Sequence, residues 1–217
     1  MLSHILLKKI QTSHDRWETP ILWMYLDSEG YVTVGCGSML PDAASAKAVS
    51  FFHEKSLSPA TTDEIEAAWK KLRLGSKKQK ESPNKQKLSA LSYKNETDLR
   101  ITIGTSSTLR DKHIKADHQQ LKLIYPNFDT FPENAKIALF DMIYNLGPGR
   151  YKTSKQRANG IRQYVLMNRA INKEDWKAAA ANCFRNGIQI ARNNMTAQLF
   201  KSCIVKKADR SKRVMTA

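Results

Sequence analysis

Two short runs near the start of the chain alternate with a period of two. Leu22, Met24 and Leu26 interleave with Trp23, Tyr25 and Asp27, and Val32, Val34 and Cys36 interleave with Tyr31, Thr33 and Gly35. Ser28-Glu29-Gly30 lies between them, so the pattern predicts a β-hairpin closed by a short glycine-bearing turn. Ahead of it, Leu2, Ile5, Leu6 and Ile10 fall near helical spacing, which predicts a helix over 2–17. Pro20 stops that helix, because the residue before a proline is pushed out of the α region.

Beyond the hairpin the periodicity turns helical. A helix is expected from Pro41 to about Glu54, and Thr61 with Glu64 forms a capping box for a segment running to Leu74. Between Gly75 and about Asn95 the pattern dissolves into SKKQKESPNKQK and its neighbours, an exposed excursion. Leu99–Ile103 reads as a short strand, followed by a helix over 108–124. Pro132 suits the first turn of the apolar run IALFDMIYNL, and Gly147 suits its C-terminal cap. Three further helices fit 157–171, 173–184 and 193–204, with Trp176, Ala180 and Cys183 marking one buried face. The basic tail from Lys206 to Arg213 is expected to fray.

These elements predict a mainly helical α+β fold, a single domain of two lobes around a cleft. The N-terminal helix and β-hairpin lobe would span 1–58, the larger helical lobe 59–205 with the polar excursion at about 75–105, and the tail 206–217. The length of 217 residues suits that arrangement better than two independent domains, and 41% hydrophobic residues suffice for a packed core.

Lys and Arg number 36 against 20 acids, a net charge of +16. Such a field draws a protein toward a polyanion, whether nucleic acid, an anionic membrane face or a bacterial cell wall, and charge alone does not choose among them. Cys36, Cys183 and Cys203 are too few and too scattered for a disulfide framework, show no metal-ligand spacing, and read as buried free thiols. The N-terminal MLSHILLKKI does not read as a signal peptide, since Lys8 and Lys9 interrupt its apolar run and no small-residue cleavage site follows. No stretch approaches the roughly 18 apolar residues of a membrane span.

The candidate chemistry lies in residues 18–38. Cleaving a glycosidic bond needs a protonated carboxylic acid at the leaving oxygen and an ionised carboxylate across the bond. Glu18 stands where the first helix ends, facing the negative end of its dipole, with Trp17, Ile21 and Trp23 as apolar cover. Both influences disfavour its ionised form. Asp27 stands at a strand end beside a polar turn, a setting that favours the ionised form. Unlike environments for two carboxyls are what an acid/base division of labour requires. With Ser28-Glu29-Gly30 as the loop, Asp27 faces Tyr31 and Tyr25 faces Thr33, so Asp27 and Thr33 share a face as diagonal neighbours roughly 7–8 Å apart along the backbone. A four-residue loop would turn Thr33 to the other face. Singly, Glu18 reads as a solvated residue, Asp27 as a turn former and Thr33 as an ordinary strand residue.

Taken together, the run ETPILWMYLDSEGYVTVGCGS from Glu18 to Ser38 resembles the active-site segment of the phage-type lysozymes, glycoside hydrolase family twenty-four. In that family a helix-terminal Glu precedes by nine residues the Asp of a Y-x-D-x-x-G hairpin, with Thr six residues further on in T-x-G-x-G. Glu18, Asp27 and Thr33 keep both spacings, and Tyr25, Gly30, Gly35 and Gly37 fill the supporting positions. FPENAKIALFDMIYNLG, from Phe131 to Gly147, is similar to the family's central helix. Asp175-Trp176, Ala179-Ala180, Asn182, Ala191-Arg192-Asn193 and Phe200 are similar to its C-terminal helices.

The resemblance implies a lysozyme-like fold and an inverting muramidase, cleaving the β-1,4 bond between N-acetylmuramic acid and N-acetylglucosamine of peptidoglycan. It implies Glu18, Asp27 and Thr33 as catalytic residues, and Tyr25, Tyr144, Asn145 and Asn182 along the glycan-binding cleft with Arg192 near its floor. Taken without the resemblance, Tyr144 reads as core and Arg192 as a structural ion pair. No metal or cofactor is implied, and the enzyme would act as a monomer without nucleic acid or membrane insertion. Two departures stand out: Thr19-Pro20 where the family usually has Gly after the acid, and Ser38 where it often has His. In both the chain resembles the divergent branch of antibacterial toxins, such as the pesticin-like and contact-delivered effector lysozymes. Membership there implies delivery by a secretion carrier to the periplasm or cell wall of a target bacterium, and an immunity protein.

The alternatives are a lytic transglycosylase, against which a functional Asp27 speaks, a catalytically dead wall-binding module, and a nucleic-acid-binding module. For the last the charge is the whole case, since no helix-turn-helix, zinc-finger or RNA-binding aromatic signature is present.

Overall fold

The fold was described from a computed structural model, which covers residues 2–81, 89–153 and 157–204, with side chains through 75 in the first of these segments. It is α+β and mainly helical. The chain divides into two compact units, residues 18–113 and residues 1–17 with 114–217. The lobes anticipated at 1–58 and 59–205 follow a different division: the first helix groups with the C-terminal half of the chain, and the residues after 58 remain with the hairpin.

In the sheet unit (18–113), β1 (Ile21–Leu26), β2 (Val32–Gly35) and β3 (Ser38–Met39) form an antiparallel sheet in that order. Tyr25 pairs with Thr33 and Leu26 with Val32, and the register shifts between Ile21 and Tyr25. Met24, Leu26, Val32 and Val34 point into a core completed by Ile65, Ala68 and Leu72 of α3 (Thr62–Glu81). The Thr61 hydroxyl accepts from Glu64 N at 3.3 Å while Glu64 Oε2 accepts from Thr61 N at 2.8 Å, the reciprocal cap expected at this helix start. α3 continues past Leu74 to Glu81, so the first part of the expected excursion is helical. Lys, Gln and Glu are good helix formers, and a polar surface does not prevent them from propagating a capped helix.

The helix expected over 41–54 is reduced to α2 (Ala43–Lys47), capped by Asp42. Its remainder is taken by a long-range pairing, in which β4 (Phe52–His53) bonds to β5 (Leu99–Arg100). His53 lies between two carboxylates, Nδ1 at 3.0 Å from Asp98 Oδ2 and Nε2 at 3.4 Å from Glu64 Oε2, tying this small sheet to the start of α3. The strand expected over 99–103 ends at Arg100, and α4 (Ile103–Ile124) begins five residues before the expected 108. Thr102 causes the early start, its hydroxyl accepting from Thr105 N at 3.0 Å. α4 contributes residues to both units, with Ile114 the first of the second.

The helical unit (1–17 and 114–217) is built on α5 (Glu133–Leu146), buried almost without interruption from Ala135 to Ile143. A helix apolar on every side needs neighbours on every side. α1 (His4–Asp15) lays Leu6 and Ile10 into the same core. α6 (Val165–Asn172), α7 (Trp176–Ala181) and α8 (Ile190–Lys201) supply Met167, Ile171, Trp176, Ala179 and Phe200. The helix expected at 157–171 starts only at Val165, after a 3-10 turn at Gly160–Gln163, because Gly160 has φ of 59° and breaks the helical path. Trp176, Ala180 and Cys183 are buried as expected, and all three cysteines are buried free thiols. The tail from Lys206 to Arg213 lies outside the described residues. No helix among the described residues is long and apolar enough to cross a membrane.

Candidate active site

Asp27 begins the hairpin turn, and its two carboxylate oxygens have different neighbours. Oδ1 accepts from the backbone N–H groups of Glu29 and Tyr31, both at 2.9 Å, while Asp27 N donates to Tyr31 O at 2.9 Å. These bonds set the three-residue loop, with Gly30 at φ 77° closing it. Oδ2 faces the sheet, where the Thr33 hydroxyl donates to it at 3.4 Å. Thr33 is 2% exposed, and its hydroxyl also lies 3.2 Å from Tyr31 O. From α3, Arg73 Nη1 donates to Gly30 O at 3.3 Å and its guanidinium sits 5.9 Å from the Tyr31 ring centre, holding the turn from outside.

Glu18 lies in the segment between α1, which ends at Asp15, and β1, and it is half-buried. Its carbonyl oxygen is 3.8 Å from Cys36 Sγ, which is itself 3.5 Å from Ser106 Oγ near the start of α4. Gly35, at φ 64°, leaves room for that serine: a Cβ there would come within 2.8 Å of Ser106 Oγ. The strand following Thr33 thus meets both the helix and the backbone of the acid.

Tyr25, paired with Thr33, links the two acids electrostatically. Its phenol is pushed up from 10.0 to about 12, first by burial and then by the charges of Asp27, Glu18 and Cys36. The phenol is therefore a neutral O–H group at physiological pH, close enough to feel the charges of both carboxylates. Glu18, Tyr25, Asp27 and Thr33 are gathered in one unit, around one hairpin.

The other residues singled out from sequence belong to the helical unit. Tyr144 is half-buried with its ring 4.2 Å from that of His14, and Asn145 beside it is half-buried as well. Asn182 ends α7, its Nδ2 donating to Ala178 O at 2.8 Å. Arg192 is 3% exposed, and its Nε donates to Asp141 Oδ1 at 2.8 Å, the structural ion pair that it reads as without the resemblance, and this pair joins α8 to α5.

Asp141 anchors a buried polar cluster that sequence reasoning missed. Its Oδ2 accepts from Arg185 Nη2 at 2.7 Å and from the Thr196 hydroxyl at 2.8 Å, and Arg185 Nε donates to Asn193 Oδ1 at 3.2 Å. Asp141 and Arg185 are fully buried. The available signal was an acid inside the apolar run IALFDMIYNL, since a buried carboxylate needs cationic partners from elsewhere. For Arg73 and Ser106 no sequence pattern pointed to the hairpin. No protein-family model matches the chain, and no curated protein is significantly similar to it.

Proposed function

We propose that the chain is a peptidoglycan hydrolase of the muramidase type with a lysozyme-like fold, cutting the β-1,4 bond after N-acetylmuramic acid by an inverting acid/base mechanism. The observation that carries this is the Thr33–Asp27 hydrogen bond, which leaves one carboxylate oxygen of Asp27 beside a hydroxyl while the turn backbone fixes the other. Glu18 donates its proton to the glycosidic oxygen as the bond to the anomeric carbon breaks. Asp27 takes a proton from the attacking water, which Thr33 helps to hold, and Tyr25 stays protonated between them as a hydrogen-bond donor. An inverting pair needs room for that water, hence carboxyl groups about 6.5–9.5 Å apart.

The resemblance of Glu18–Ser38 to the phage-type lysozymes supports the same reading, and the departures at Thr19-Pro20 and Ser38 favour an antibacterial effector acting on the wall of a target bacterium. The net charge of +16 suits an anionic wall. Purified murein tests it by turbidity and by mass spectrometry of the products. The native chain should release reducing-end muropeptides, and Glu18→Gln should lower the rate by at least about 10²-fold without loss of fold. Clearing by Glu18→Gln at the native rate overturns the assignment of the acid, and anhydro-muramic ends would mean a transglycosylase.

A further inference from the structure

The positive charge is unevenly distributed. The helical unit has 22 Lys and Arg against 8 acids, the sheet unit 14 against 12, so the former carries +14 of the +16. Within it, the stretch from Asp141 to Glu174 has seven basic residues between its ends and no acid. That stretch contains a loop with a built neck. Gly149 and Gly160 cross so closely that a Cβ on Gly149 would lie 1.8 Å from Asn159 O. Arg150 N donates to Asn159 Oδ1 at 2.8 Å, and Ile161 N donates to Gly147 O at 3.0 Å.

Arg162 braces this neck from inside the fold. Its Nη1 donates to Pro148 O at 2.6 Å, and its guanidinium lies 4.5 Å from the centre of the Tyr151 ring, which is 63% exposed. Arg150 and Lys152 flank Tyr151 in the chain and Arg157 stands two residues before Asn159 of the neck; all three are exposed, and none has an acidic partner among the described residues. Like charges held together without counterions repel one another, so a stapled loop that keeps them together is suited to an anionic ligand.

We propose that Arg150, Tyr151, Lys152 and Arg157 form an accessory site for the free carboxylates on the peptide stems of the wall polymer. The proposal rests on the hydrolase reading for its choice of polymer. A stem-bearing glycan offers carboxylates at regular intervals, matching several separate cations better than one deep pocket would. Binders of single-stranded nucleic acid line up several aromatic platforms, and this loop presents one, Tyr151.

The test uses the full chain carrying Glu18→Gln, so that binding is read without cleavage, in co-sedimentation with purified murein across a salt series. Adding Arg150→Gln, Lys152→Gln and Arg157→Gln should weaken binding by about tenfold at physiological salt and flatten the salt dependence. A charge-matched control, Lys55→Gln with Lys112→Gln and Lys177→Gln, should lose less than about twofold. On murein whose stem carboxylates have been converted to neutral amides by carbodiimide coupling with ethanolamine, the loop variant and its parent should bind alike. The proposal fails if the control loses as much as the loop variant, if the loop variant binds murein unchanged, or if its deficit persists on amidated murein. Loss of duplex-DNA binding alone would make the loop a nucleic-acid site and overturn it too. If the native chain cleaves no murein while the loop variant still loses stem-dependent binding, the hydrolase reading fails and the accessory site stands.

Discussion

The Thr33 hydroxyl lies 3.4 Å from the one oxygen of Asp27 that the hairpin turn does not use, and shares its single proton between that oxygen and Tyr31 O. Oδ1 is spent on the N–H groups of Glu29 and Tyr31, and Oδ2 meets the threonine hydroxyl. The two atoms of a single carboxylate thereby divide their neighbours, turn amides on one side and a hydroxyl on the other.

The division predicts how substitutions separate. Asp27→Asn keeps an acceptor for both turn amides and removes the charge, so the protein should melt within about 1 kcal/mol of wild type while murein cleavage falls about 10²–10⁴-fold. Asp27→Ala removes the acceptor as well and should cost a further ~1–2 kcal/mol of stability. Thr33→Val keeps the shape and should lower cleavage about tenfold with little change in melting, if Thr33 positions water. Equal stability of the Asn and Ala variants in denaturant titration would contradict the division.

Tyr25 reports on the two acids without any substrate. Its phenol is raised to about 12, so the folded chain should show no Tyr25 phenolate absorbance below about pH 11, read as the difference between wild type and Tyr25→Phe. Replacing Asp27 with Asn and Glu18 with Gln should lower that midpoint, with burial holding it above 10. The unfolded tyrosine ionises first, so the stability contributed by Tyr25 is complete below pH 10 and lost as pH rises toward 12. An unchanged midpoint in the double variant would separate the acids from the phenol.

The buried cluster around Asp141 governs the helical unit. Asp141→Asn would leave Arg185 and Arg192 buried without a compensating charge, a loss of about 3–5 kcal/mol in urea titration. Thr196→Val removes one donor and should cost about 1 kcal/mol. Wild-type stability in Asp141→Asn would show that the two arginines are compensated elsewhere.

His53 makes the sheet unit sensitive to pH. Hydrogen bonding to Asp98 first, and also to Glu64, raises the ring above its ordinary 6.5 against the opposing effect of burial. A raised histidine stabilises fully below its unfolded value and stops doing so as pH climbs through its folded value. The difference in urea midpoint between wild type and His53→Gln should thus be largest near pH 5 and shrink toward pH 9. A difference that grows with pH would reverse the assignment.

The hairpin was legible because period two and a turn of Asp-Ser-Glu-Gly leave few registers. Tyr25 opposite Thr33, and Asp27 N bonded to Tyr31 O, are the pairings those positions predict. The early start of α4 at Ile103 was written in Thr102 but went unread. The β4–β5 pairing was not legible, since Phe52 finds Arg100 across intervening chain and nothing local marks it. Arg192 reads from its residue type as an ion pair, but its partner, Asp141, is a distant residue on another helix, and only the folded core shows that the two meet.

The helical unit is assembled from stretches of chain on both sides of the sheet unit. Leu6 and Ile10 of α1 find their core with α5, α7 and α8, while residues 18–113 can gather around Val32 and Val34 without it. While residues 18–113 are being synthesised, that apolar stripe therefore has no core to join.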